Sequence, residues 1–199
     1  MEGPAATVAR STGDILARVF ILYGVAAGLF AGFVLGGRLD GLATVRFRLG
    51  WLAIVALVIQ VVLFSPVTDG LASDVRRAIY VLSTALVGVV VLANLRLTGV
   101  PLIAIGAGLN LAAIVANGGS MPADPAALAA LGMTAEGNTN SVVIVQPALA
   151  PLTDVFAMPQ WMPFSNIFSV GDVLIGVGVA VAIAAAMRGG RRPTAATPD

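Results

Sequence analysis

The sequence has no cysteine, no histidine and no lysine among its 199 residues, and only 11% of its residues are charged. These absences exclude disulfides, thiolate nucleophiles, Cys/His zinc sites and imidazole general bases. The usual axial histidine ligand for haem is also missing. A net charge of +1 gives no basic footprint, so we expect no nucleic-acid partner. No metal site is predicted, and the residues do not indicate a particular cofactor.

Hydrophobic residues make up 58% of the chain, far more than a water-facing domain carries. They form continuous runs rather than alternating ones, which favours membrane helices over barrel strands. We therefore predict an all-α fold, a polytopic transmembrane bundle of about five spans with a structured outer loop between the fourth and fifth. The predicted spans are Ile15–Gly36, Leu49–Phe64, Ala78–Leu95, Val100–Ala116 and Ile167–Met187.

The predicted organisation is an extension over residues 1–14, a transmembrane domain over 15–188 with an outer loop at 117–166, and a tail at 189–199. All 11 basic residues are arginine, a bias typical of GC-rich bacterial genomes. Seven arginines fall in residues 37–48, 96–99 and 188–199, and the other four lie in segments that would face the opposite side of the membrane. The positive-inside rule then places the amino terminus outside and the carboxyl terminus in the cytoplasm, across a bacterial inner membrane.

The outer loop has the pattern of an ordered cap. It opens with the turn signal Asn117-Gly118-Gly119, followed by Met121 and Pro122. A short helix is predicted over Ala126–Leu131 and a short strand over Ser141–Val145. Prolines then alternate with apolar residues, with Trp161 and Phe164 as predicted interface anchors. The cap is interpreted either as a structural lid or as a ligand-binding loop.

The last span begins with Ser169 and, three positions on, Asp172. This spacing is typical of a helix N-cap. An alternative is an aspartyl protease in which Asp172 shares a proton with Asp154, although Ser169 stands where the Gly-x-Gly-Asp pattern needs its first glycine. A third interpretation is ion or ligand binding by Asp172 with Asn166.

Small and polar residues inside the spans suggest how the helices meet. Gly24, Gly28 and Gly32 form a small-xxx-small stripe, and Gly171 begins a similar face on the last span. The stripe predicts packing inside the bundle or docking of another subunit. Polar residues within the spans bond across helices more often than they mark a transport path. These residues are Gln60, Asn94 and Asn110.

Three segments resemble the DUF5317 group of bacterial membrane proteins, a family of unknown function. They are Leu35-Gly36-Gly37-Arg38-Leu39, the run from Asn117 to Pro122, and the run from Asn166 to Asp172. The resemblance covers roughly Val19 to Met187. It implies a membrane architecture and no activity, so no catalytic residue is carried over from it.

Three functions remain as hypotheses. The first is a non-enzymatic accessory or scaffold subunit of a membrane complex, with lipids and other subunits as partners. The second is a small transporter or lipid-binding or ligand-binding protein, and the third is an intramembrane aspartyl hydrolase. The candidate residues of the loop and helix mouth are Asn117, Gly118, Gly119, Met121, Pro122, Asp154, Asn166, Ser169, Gly171 and Asp172.

Overall fold

A computed structural model describes residues 19–63, 65–68, 70–132, 141–142, 144, 146–163 and 165–189. The predicted extension, the start of the first span, Phe64 and most of the tail lie outside these residues. Helices dominate the described chain, which agrees with the predicted all-α class. They are α1 (Val19–Val34), α2 (Gly50–Leu63), α3 (Ser73–Ala93), α4 (Val100–Ala116), the short α5 (Pro125–Ala130) and α6 (Val170–Gly189).

Within the described ranges, α6 is the one helix that is both long and apolar enough to cross a membrane. The apolar stretches of α1 to α4 are each 10–17 residues long. Each predicted span therefore contains a helix, but among the described residues only the last is both long and apolar enough to span.

Helix α6 lies between α1 and α4 and contacts both through glycines. A Cβ placed on Gly24 of α1 would lie 2.6 Å from the carbonyl oxygen of Gly176, and one on Gly28 would lie 2.8 Å from the Cα of Ala180. On the other side, a Cβ on Gly106 of α4 would overlap the carbonyl oxygen of Gly171. Backbone approaches this close explain why these positions hold glycine. We call α1, α4 and α6 the glycine-packed trio.

Helices α2 and α3 form a separate antiparallel hairpin. Their contact surface includes the buried Ala56, Leu63 and Val90. The Gln60 side chain donates a hydrogen bond to the Ser83 hydroxyl across the pair, at 3.3 Å. The hairpin connects to α4 through a tight turn in which Gly99 takes a φ of +89°. Such a φ is strained for any residue with a Cβ.

The segment between α4 and α6, residues 117–169, is here called the cap. It contains two short sheets: β1 (Met121–Pro122) pairs in parallel with β2 (Ser141–Val142), and β3 (Phe156–Ala157) pairs antiparallel with β4 (Ile167–Phe168). The predicted short helix is present as α5, whose N-cap Asp124 accepts hydrogen bonds from two backbone N–H groups. The predicted strand is observed at its first two residues; Ile144 is not in a strand, and Val143 and Val145 lie outside the described residues.

Side chains attach the cap to the trio. Phe168 of β4 stacks between Phe20 of α1 and Phe156 of β3, with ring centroids 4.8 Å and 5.4 Å away. The Tyr23 hydroxyl of α1 donates a hydrogen bond to the carbonyl of Pro163. At the far end of α6, the turn Leu39–Thr44 packs on the helix terminus, and the backbone N–H of Arg38 donates to the carbonyl of Met187 at 2.9 Å.

Candidate functional site at the start of the last helix

The first turn of α6 is closed by a reciprocal pair of hydrogen bonds. The backbone N–H of Ser169 donates to Asp172 Oδ2 at 2.9 Å, and the backbone N–H of Asp172 donates to Ser169 Oγ at 3.1 Å. This is a capping box, the arrangement that the Ser-x-x-Asp spacing predicts. Ser169 is fully buried, so the box satisfies backbone donors that water does not reach.

Asn110 of α4 completes the arrangement from the neighbouring helix. Its Nδ2 donates to Asp172 Oδ1 at 2.9 Å, and its Oδ1 lies 2.8 Å from the donating hydroxyl of Ser169. Gly171 makes room for this side chain, because a Cβ there would overlap the Asn110 amide. Sequence reasoning treated Asn110 as a helix-bridging residue and did not include it in the site. Its only signal was a polar residue inside an apolar run.

Asp154 approaches the same turn from the cap. Its backbone is held on both sides, since its N–H donates to the Pro122 carbonyl and its carbonyl accepts from the Asp124 N–H, each at 3.0 Å. Burial, with a further contribution from the charge of Asp172, raises the pKa of Asp154 to about 7. Among the described residues, none donates a hydrogen bond to the Asp154 carboxyl group.

The two carboxyl groups therefore occupy unlike environments. Two N–H donors face the carboxylate of Asp172, one from the Asn110 amide and one from the Ser169 backbone, while the single proton of the Ser169 hydroxyl is shared between Asp172 and the Asn110 Oδ1. Donors of this kind stabilise negative charge, whereas burial without donors favours the protonated acid. The environment of Asp154 therefore favours its protonated form near neutral pH. Within the described ranges no group of three or more acidic, histidine or cysteine residues could hold a metal ion.

Asn117, Gly118 and Gly119 follow the carboxyl-terminal end of α4, beyond Asn110, and form a second attachment for the cap. The Asn117 amide donates to the carbonyls of Ala113 and Ala148, both at 2.8 Å, and accepts from the Ala148 N–H at 2.9 Å. Gly118 and Gly119 take φ values of 72° and 94° and end the helix. Nothing lies within 4 Å of a Cβ built on either glycine, so the positive φ, and not a lack of space, explains why both positions hold glycine.

The remaining candidates lie within the cap itself. Met121 and Pro122 form β1, and Pro122 is fully buried. The carbonyl of Asn166 accepts a hydrogen bond from the Met158 N–H at 2.9 Å. The Asn166 Oδ1 is buried without a hydrogen-bond partner among the described residues. The structure thus brings Asp154, Ser169 and Asp172 together, while the Asn117 turn is a separate feature.

These features define a helical protein whose last helix is of membrane-spanning length and is capped by a hydrogen-bonded polar cluster. A profile described as a family of unknown function, DUF5317, matches residues 44–184, which is more than half of the chain. The chain belongs to this family, as its motifs predict. The matched range begins after α1, later than the resemblance drawn from the sequence. No curated protein and no solved structure gives a match.

Proposed function

We propose that this chain is a polytopic membrane protein of the bacterial inner membrane that works as a non-enzymatic accessory subunit of a larger complex. Large apolar side chains stand exposed on several of the long helices. Phe30 of α1 is 72% exposed, Trp51 of α2 is 63% exposed, and Val115 of α4 is 69% exposed. A lipid environment removes the cost of exposing such surfaces to water.

The proposed topology has five spans, with the amino terminus outside. The cap then lies on the outer face, where its exposed Trp161 suits the interface between lipid and water. Arg38, Arg46, Arg48 and Arg96 lie in turns on the cytoplasmic side. The absence of cysteine makes this topology directly testable, because every single-cysteine variant carries one reactive thiol. An impermeant maleimide should label residue 161 but not residue 46 in intact cells.

The observation that carries the accessory role is an open small-residue face on α4. Gly24, Gly28 and Gly32 of α1 are occupied by α6, so that stripe cannot also receive a partner. Ala104, Gly108 and Ala112 recur every four residues on α4, and a Cβ on Gly108 would meet nothing within 4 Å. An interior glycine costs helix stability of about 1 kcal/mol relative to alanine. Its presence on an exposed face therefore supports close approach by another helix.

Copurification from native membranes in mild detergent tests this role. We expect wild-type protein to migrate with a partner, and Gly108→Leu to reduce the recovered complex at least tenfold. Gly88→Leu is the matched control, because Gly88 of α3 also has open space around it but has Thr84 and Leu92, not two alanines, four residues away. A wild-type chain that always migrates alone as a monomer would contradict the accessory role. Equal recovery of complex with the two variants would remove α4 as the docking face.

Proton-dependent chemistry at Asp154 and Asp172 is a second candidate, favoured by the unlike environments of the two carboxyl groups. It includes the aspartyl hydrolase and the ligand-binding alternatives. The hydrogen bonds that Asn110 and Ser169 donate to Asp172 support a structural role for that residue, which makes this candidate weaker. Incubation with a library of transmembrane peptides, followed by mass spectrometry, tests hydrolysis. Cleavage that disappears in both Asp154→Asn and Asp172→Asn would favour it, whereas no cleavage by the wild type would oppose it.

A further inference from the structure

The loop before α2 is held in place by one buried side chain of the next helix. Asn94, at the end of α3, is 3% exposed. Its Oδ1 accepts from the backbone N–H of Arg48 at 2.8 Å, and its Nδ2 donates to the carbonyl of Arg48 at 2.8 Å and to that of Val90 at 2.7 Å. The side chain thus binds the backbone of Arg48 on both sides.

The clamped loop has a strained conformation. Leu49 takes a φ of 57°, the left-handed region that residues other than glycine rarely adopt. Strain of this kind persists only where surrounding contacts fix the backbone. The two Asn94 bonds to Arg48 supply that restraint at the neighbouring residue. The loop is therefore a fixed element, and its side chains project from a defined backbone.

Three arginines lie on the two segments that this clamp joins. Arg46 and Arg48 lie on the loop, and Arg96 follows Asn94 by two residues in the turn toward α4. All three are exposed, and among the described residues none has a carboxylate partner. Asp40, the nearby acid, is already paired with Arg38 at 3.3 Å. The surface thus carries positive charge that the described chain does not neutralise.

Large, exposed apolar side chains neighbour these arginines in the sequence. Phe47 is 58% exposed, Trp51 is 63% exposed and Leu95 is 40% exposed. Aromatic and basic residues in alternation suit the boundary between acyl chains and headgroups. A surface with this composition fits a ligand that has an anionic head and an apolar tail.

We propose that the surface formed by Arg46, Arg48 and Arg96 around the Asn94 clamp binds the headgroup of an anionic phospholipid. Guanidinium groups match phosphate oxygens with paired N–H donors, which an ammonium group does not reproduce. Phe47 and Trp51 lie beside the upper acyl chains. The inference rests on the membrane placement proposed above, and it adds a lipid class and a specific surface.

Native mass spectrometry of the full chain, reconstituted in nanodiscs and released in mild detergent, tests the proposal. The probes are phosphatidylglycerol and phosphatidylcholine, mixed in equal amounts. We expect wild-type protein to retain phosphatidylglycerol at least fivefold over phosphatidylcholine. The variant R46Q/R48Q/R96Q should lose this preference. R46K/R48K/R96K, which keeps the charge, should retain an intermediate preference because it lacks the paired donors.

Arg38→Gln is the matched control, because its guanidinium is paired with Asp40; it should leave the preference unchanged. Equal retention of both lipids by wild-type protein would overturn the proposal, as would an undiminished preference in the triple glutamine variant. Competition by millimolar inorganic phosphate that removes the preference would show a phosphate site and contradict a lipid surface. A chain that fails to enter nanodiscs would instead refute the membrane placement.

Discussion

The glycine-packed trio and the hairpin of α2 and α3 are both apolar, yet different contacts hold them together. In the trio, backbone touches backbone at Gly28 and Ala180 and at Gly106 and Gly171. In the hairpin, polar side chains supply the specific contacts, through Gln60 with Ser83 and through the Asn94 clamp. The two parts have little contact with each other, since the described structure shows few contacts between α3 of the hairpin and α4 of the trio.

This difference determines which substitutions each part tolerates. Backbone-to-backbone contacts leave no side chain that can move aside, so an added methyl group must displace a helix. Side-chain hydrogen bonds across a hairpin can be lost singly at a modest cost. The trio together with its cap should therefore respond sharply to substitution and to protonation, and the hairpin should respond weakly. The two tryptophans, Trp51 in the hairpin and Trp161 in the cap, report on these parts separately.

The largest expected effect is the dependence of cap stability on pH. The pKa of Asp154 is about 7 in the folded protein, so between pH 4 and 7 the folded state binds more protons than the unfolded state. Stability is thus fully present below about pH 4 and is lost as pH rises to 7, by on the order of 3 kcal/mol. Thermal melts followed by Trp161 fluorescence in a Trp51→Phe background should show this fall.

Asp154→Asn is the control for that pH dependence. Its melting temperature should stay level across the same window and exceed that of the wild type above pH 7, because the unfavourable charge is gone. Trp51 fluorescence in a Trp161→Phe background reports the hairpin, which should change little. Parallel pH curves for wild-type protein and Asp154→Asn would contradict the role given to Asp154.

A matched pair of glycine substitutions gives the next largest effect. Gly28→Ala places a Cβ 2.8 Å from the backbone of Ala180 and should destabilise the protein by about 2 kcal/mol. Gly88→Ala makes the same chemical change where nothing lies within 4 Å, and it should be neutral or stabilising by up to about 1 kcal/mol. Chemical denaturation in detergent measures both. Equal losses for the two variants would remove the distinction between trio and hairpin.

The smallest expected effect comes from the hairpin bond itself. Gln60→Leu removes one donor to Ser83 at 3.3 Å, while the Ser83 hydroxyl keeps its hydrogen bond to the Tyr80 carbonyl at 2.8 Å. No buried polar group is left unpaired at Ser83, so the loss should stay below about 1 kcal/mol. The same denaturation measurement checks it. A larger loss of stability for Gln60→Leu than for Gly28→Ala would show that the hairpin is more sensitive to substitution than the trio.

Much of the helical order follows from the sequence because membrane-type runs are long and have clear ends. Pro66 and Gly99 mark boundaries that the structure reproduces closely. The Ser169 capping box also follows from local spacing. The Asp154 environment does not, because it depends on a parallel bridge between Ala123 and Asp154, which are 31 positions apart in the sequence. No local pattern reveals which loop residues will pair across such a distance.

Asn110 illustrates the same limit within the helices. Its polar amide in an apolar run predicts a cross-helix bond, but the partner depends on how far α4 and α6 are shifted along each other. That shift is fixed by the Gly106 and Gly171 crossing, which periodicity alone cannot place. For the same reason, the sequence does not decide whether the small-residue stripe of α1 packs inside the bundle or binds another subunit. The structure shows that α6 packs against this stripe.

The shift has one more consequence for how the chain enters a membrane. The first turn of α6 lies level with Asn110, six residues before the end of α4, or about 9 Å at 1.5 Å per residue. The connection from the cap into α6 therefore lies beside the end of α4 and not above it. Non-helical backbone at that depth is tolerated only where protein groups replace water. Ser169, Asp172 and Asn110 supply these groups to one another at the buried start of α6.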